Sequence, residues 1–183
     1  LSGLVGSEMC IRDRSYVPES ITAEDIKNKN LLDVQAAVLS YGGYNLYSPA
    51  LKGIFETRKN PFWTLALSKP RGIFGNNFNA QENPEMYKAI SPIYNIPNID
   101  ERKLPPQFIT SASEDRVTPV HAIEEYVKAL KDAGQEVTYW EYKDQRHAYL
   151  DSGKTFLSGN DFKRDAIPAL KKIMNFLNSK LHS

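Results

Sequence analysis

The rhythm of apolar and polar positions divides the 183-residue chain into a polar head, an aromatic middle and a regular tail. In the polar stretch 15–33, Thr22-Ala-Glu-Asp25 ahead of Ile26 predicts a helix start, with Thr22 as N-cap and acidic residues in the first turn. An apolar run from Val34 to Ser40 stops at Tyr41-Gly42-Gly43, and its length and glycine stop predict a strand buried on both faces. No long period survives across 44–100, which reads as short helices and loops with one helix over Pro84–Ile90. Regularity returns after Asn98. Gln107–Ala112 predicts a second buried strand, followed by the polar turn Ser113–Arg116. Pro119–Ala133 predicts a helix with Val120, Ile123, Val127 and Leu130 inward, closed by Gly134. Val137–Tyr142 is a third strand and Lys143–Ala148 a loop. The last helix, about Phe162–Leu181, carries Phe162, Ala166, Leu170, Ile173, Leu177 and Leu181 on one stripe, with Pro168 marking its true start or a kink.

Strand, helix, strand, helix implies parallel strands with right-handed crossovers, hence an α/β sheet. Three strands seldom support a doubly wound core, so the sheet reads as part of a larger one. Composition fits a single domain, 41% apolar and 25% charged, able to bury roughly 70% of its unfolded surface. A formal charge of +1 leaves no footprint for nucleic acid or an anionic membrane. No run approaches the roughly 18 apolar residues of a membrane span. A single cysteine, Cys10, excludes an internal disulfide, and no histidine–carboxylate cluster has metal-ligand spacing, so neither metal nor cofactor is expected. Many of the 10 Tyr, 8 Phe and 2 Trp fall between Tyr41 and Tyr94. A long insert without regular period inside a compact domain is usually a lid or binding surface. The segment 44–100 is therefore read as a cap, with Tyr41, Tyr44, Phe62 and Trp63 as candidate substrate-binding residues.

The run LVGSEMCIRDR at residues 4–14 has neither helical nor strand periodicity and lacks the regions of a signal peptide. It resembles a translated sequencing adapter. On that reading residues 1–14 are not native, Cys10 has no role, and the chain from about Ser15 is the tail of a longer reading frame. The compartment is then open, with the cytoplasm as the default expectation; the oligomeric state is open too.

In an open parallel sheet, functional residues collect in loops after the C-terminal ends of strands. Asp115 follows the second strand and His147 the third, so a carboxylate and an imidazole on adjacent strand ends can meet. The carboxylate would hold one ring nitrogen and leave the other as a general base. The plainer alternative is that Asp115 caps the following helix or makes an Asx turn, and that His147 is a surface loop residue. His121 reads as solvated and His182 as part of a fraying tail. Asp144 lies too near His147 in sequence to be its partner. Asp151–Thr155 invites a phosphate-loop reading, which fails because Ala148 stands where that motif needs glycine.

Residues 105–150 resemble the C-terminal segment of α/β-hydrolases of the esterase/lipase type related to hormone-sensitive lipase. Ser113-Glu-Asp115-Arg-Val117 fits that family's acid turn, and Arg146-His147-Ala148 its histidine turn, with alanine where glycine is common. The Val34–Gly42 strand and Asn83–Pro92 resemble the strand and cap that follow the family's nucleophile elbow. The resemblance implies a partial α/β-hydrolase fold, a small or medium carboxylic ester as substrate, and a Ser-His-Asp triad using Asp115 and His147. No Gly-x-Ser-x-Gly and no His-Gly-Gly loop occur in the sequence, so the nucleophile is expected upstream and this chain alone is expected to be inactive. Two alternatives share the fold: a serine peptidase of the prolyl oligopeptidase type, and a non-catalytic hydrolase-like binding protein.

Overall fold

The computed structural model describes residues 34–48, 74, 78, 80–151 and 160–181. The predicted helix start at Thr22, the adapter-like run, and Phe62 and Trp63 lie outside these residues. The described elements are β1 (Ala37–Ser40), α1 (Pro84–Ile90), a 3-10 turn at Pro92–Asn95, β2 (Gln107–Ala112), α2 (Val120–Asp132), β3 (Val137–Tyr142), a π-helical turn at Phe162–Ala166 and α3 (Ile167–Leu181).

The strands form one parallel sheet in the order β1-β2-β3, with Leu39 beside Ile109 and Ile109 beside Tyr139. Parallel neighbours need a covered crossover, and α2 supplies the one between β2 and β3. The two-residue alternation of a strand then sorts the core into two faces. Leu39 and Ile109 pack against Ile123, Tyr126, Val127 and Leu130 of α2. Their neighbours Val38 and Phe108 point the other way, into Ile173 and Phe176 of α3. All of β2 is buried, which is why its sequence reads as a continuous apolar-to-small run. Burying a side chain such as Ile109 contributes about 2–3 kcal/mol.

Local chemistry sets the boundaries. Pro119 is the N-cap of α2 rather than part of its first turn, because its extended ψ of 144° precedes the helix. Gly134, at φ +74°, closes α2 in a Schellman motif: its N–H donates to Lys131 O and the Gln135 N–H to Leu130 O. β1 is shorter than the predicted Val34–Ser40, since Val34 is half exposed and precedes the pairing with β2. Its burial alternates, so it is covered more on the α2 side than on the other.

The C-terminal stripe needs correction. The buried line is Ala166, Ala169, Ile173 and Phe176, whereas Phe162, Leu170 and Leu181 are exposed. The π-helical turn inserts an extra residue ahead of α3 and moves Phe162 off the core face. Within α3 the sheet takes the 169/173/176 line, and Leu170 and Leu181 fall on neighbouring lines. Pro168 is the second residue of α3 and follows directly on the π-helical turn, so it marks the point where the wide winding of Phe162–Ala166 gives way to α-helix.

Gln135 fastens the segment ahead of β2. Its Oε1 accepts from the Leu104 N–H at 2.9 Å, while Nε2 lies 2.8 Å from Pro97 O and 2.9 Å from Arg102 O. Replacing it with alanine orphans the buried Leu104 N–H and removes the donor to the part-buried carbonyls of Pro97 and Arg102. Gln135→Ala is expected to destabilise the fold by about 2 kcal/mol or more. Urea unfolding reads this as a lower midpoint at unchanged slope; a change below about 0.5 kcal/mol, the range of ordinary surface substitutions, would count against the fastening role.

Candidate active site

Two turns at the C-terminal edge of the sheet build the site. After β2, the Asp115 N–H returns to Ala112 O at 3.0 Å, which turns the chain back. The turn after β3 is laced to it: Ser113 N–H donates to Tyr142 O, Glu114 N–H to Gln145 O, and Asp144 N–H to Ser113 Oγ. Asp144 and Ala148 both adopt positive φ, 56° and 63°. Aspartate tolerates that region, whereas alanine is strained there by roughly 1–2 kcal/mol, which glycine would relieve.

These turns bring the two candidates together. His147 Nδ1 lies 2.8 Å from Asp115 Oδ2, across 32 residues of sequence. The Asp115 side chain is fully buried, and the His147 side chain is 25% exposed. Asp115 Oδ1 accepts from the Val117 and Thr118 N–H groups at 2.7 and 2.9 Å, and Oδ2 also accepts from the Thr118 hydroxyl at 2.9 Å. The Asx turn weighed as the plain alternative is thus present, and the histidine contact is made by the same carboxylate. A carboxylate only accepts, so Nδ1 carries the proton and the neutral ring keeps its lone pair on Nε2. Such an imidazole is arranged to take a proton at Nε2, with the charge that develops stabilised by the carboxylate behind it.

The candidate pocket residues separate. Tyr41 ends β1 with φ 42°, and its ring meets His147 edge-on at 5.1 Å. Tyr44 is buried in the core, stacked on Tyr126 at 4.2 Å, so it packs β1's exit against α2. Tyr149 is fully buried below the histidine turn, bonded to the Thr110 hydroxyl and edge-on to Tyr41 and Tyr142. Burial pushes the Tyr149 hydroxyl up to about 12. It does the same for Tyr41, to about 12, aided by the negative charge of Asp151, of Tyr149 when ionised, and of Asp115. Both phenols therefore stay neutral across the physiological range. His121 is exposed, consistent with its reading as a solvated residue.

Sequence reasoning missed three supports. Thr118 stands three residues after Asp115, an Asx-turn spacing that was visible in the sequence. Tyr149 lies two residues after His147. Asn160 donates from Nδ2 to His147 O at 2.8 Å, a contact with no sequence signal. Among the described residues no group of three or more His, Cys, Asp or Glu side chains is placed to hold a metal ion, and no helix is long and apolar enough to cross a membrane.

Comparison with known proteins places the fold in a lineage. The model of the prolyl oligopeptidase family matches residues 63–182, more than half of the chain. The chain belongs to the prolyl oligopeptidase family, and with it to the serine hydrolases of α/β-hydrolase fold. Among solved structures it is similar to a Pyrococcus horikoshii acylaminoacyl peptidase (TM-score 0.55, 21% identity, covering 81% of this chain and 20% of that one). A puromycin-hydrolysing peptidase of Mycobacterium tuberculosis is also similar (TM-score 0.52, 18% identity, covering 80% and 18%). So is a native thermophilic esterase of the planctomycete Thermogutta terrifontis (TM-score 0.50, 18% identity, covering 90% and 47%). At these identities the likeness carries the fold. The chain spans about a fifth of the length of the two peptidases and under half of the esterase. The comparison with curated protein sequences found no match.

The turn entering α3 gives a pH prediction. Asp165 is fully buried, and Arg164 donates to it from Nε and Nη2, both at 2.7 Å. The Arg164 pairing holds this carboxyl below its ordinary value of 3.8, with the Asp161 N–H and the Gln145 side chain adding to the effect. A depressed folded-state value stabilises the fold above the unfolded value, and that stability is lost as pH falls through the folded one. Thermal unfolding of wild type is expected to lose stability below about pH 4, and Asp165→Asn to lose less over that interval; parallel pH profiles would contradict this.

Proposed function

We propose that Asp115 and His147 are the acid and the base of a Ser-His-Asp triad, and that the protein carrying this segment is a serine peptidase. The observation that carries the reading is the buried Asp115 carboxylate 2.8 Å from His147 Nδ1 at adjacent strand ends. Membership of the prolyl oligopeptidase family supports an amide over an ester as the scissile bond. In this reading a serine hydroxyl attacks the substrate carbonyl and His147 Nε2 takes its proton. The tetrahedral intermediate collapses as His147 returns that proton to the leaving amine, and water then repeats the sequence on the acyl-enzyme. Asp115 stays ionised throughout. It fixes the tautomer and stabilises the imidazolium.

The serine belongs to polypeptide other than these residues, since no Gly-x-Ser-x-Gly setting occurs among them. The segment 44–100 would wall the substrate, with Tyr41 bordering the histidine, and the hydrolysis would need neither metal nor cofactor. A second reading, a carboxylesterase for small or medium esters, rests on the resemblance of residues 105–150 to the enzymes related to hormone-sensitive lipase. Both readings use the same three groups and differ in the leaving group.

Assaying the complete protein with a peptide anilide and a p-nitrophenyl ester side by side separates them. The peptidase reading expects the larger kcat/KM on the anilide. His147→Ala and Asp115→Asn are each expected to lower kcat by about 10³–10⁴-fold on either substrate; full activity in either variant would overturn the triad. A fluorophosphonate probe is expected to leave the 183-residue chain unlabelled, and labelling would place a nucleophile within it.

A further inference from the structure

We infer that Thr118 is a positioning residue that fixes the protonated nitrogen of His147 by locking the Asp115 carboxylate. The inference rests on the triad reading above and adds a residue to it. Asp115 receives four hydrogens: two backbone N–H on Oδ1, the Thr118 hydroxyl and His147 Nδ1–H on Oδ2. A carboxylate offers about four lone-pair sites, so its acceptor capacity is filled and its rotation is blocked from both oxygens. The backbone donors hold Oδ1 alone. Among the described residues, only the imidazole itself would hold Oδ2 in the imidazole plane without the hydroxyl.

The Thr118 oxygen reaches further than the carboxylate. It lies 3.1 Å from Tyr41 O and 3.4 Å from His147 Nδ1. Its single hydrogen has two acceptors, and the charged one wins, because a bond to a carboxylate is roughly twice as strong as one to a neutral carbonyl. The oxygen lone pairs then face Nδ1–H, giving that proton a second, longer acceptor. Thr118 thus joins the acid turn and the histidine in one contact. Its methyl group has no part in this, so serine should serve and valine should not.

The readout is the imidazole tautomer, by ¹⁵N and ¹H NMR of the chain with labelled histidine at a pH where the ring is neutral. Wild type is expected to show Nδ1 protonated, with a downfield, slowly exchanging Nδ1–H signal. Thr118→Val is expected to speed exchange of that proton at least threefold and to raise the share of the Nε2–H tautomer, and Thr118→Ser to restore the wild-type signal. If valine disturbs the amide fingerprint, Thr118→Ala makes the same comparison. An unchanged signal in a folded variant without the hydroxyl would overturn the positioning role and leave the triad intact. Absence of the Nδ1–H tautomer in wild type would instead remove the reading on which both stand.

Discussion

A buried carboxylate is tolerable only where donors replace the water it has lost, and the organisation of this sheet edge follows from satisfying Asp115. Its side chain is fully buried, and its partners come from three places: the backbone entering α2, the Thr118 hydroxyl and the turn after β3. Each partner is delivered by an element whose position the parallel register fixes. β2 carries the acid to the edge, β3 carries the histidine to the same edge, and the backbone bonds between their turns hold the two at one height. Below them Tyr149 fills the space between the strands and the histidine turn, and Asn160 takes the His147 carbonyl.

The strand and helix frame was legible where periodicity and punctuation agreed. β2, β3 and α1 coincide with their sequence readings, because apolar runs bounded by proline, glycine or charged turns leave little freedom at the ends. Asp115 and His147 were legible for a topological reason: both follow strands of a parallel sheet, where loops gather. Thr118 was harder to single out, since threonine after an aspartate turn is ordinary chemistry and only the fold shows what its hydroxyl reaches. The register of α3 was misread because a π-helical turn breaks the 3.6-residue count without leaving a mark in composition. Tyr44 illustrates a related limit, for an aromatic next to a glycine pair reads equally as pocket wall or as core, and here it stacks on Tyr126.

Ester and peptide hydrolysis are separated by groups outside the acid–histidine pair. The resemblance of residues 105–150 to esterases and the family match over 63–182 fall on the same stretch of chain, a parallel sheet whose adjacent strand ends carry Asp115 and His147. Both chemistries occur on this fold, so the fold does not decide the leaving group. That choice belongs to the walls around the scissile bond.

The direct interaction of Asp115 with His147 is tested most simply by a double-mutant cycle on stability. Asp115→Asn, His147→Gln and the double variant, unfolded in urea near neutral pH, give the coupling energy. A coupling of about 1 kcal/mol or more is expected for groups in one hydrogen-bonded network. Additivity within about 0.3–0.5 kcal/mol would mean that the two side chains act independently and would contradict it.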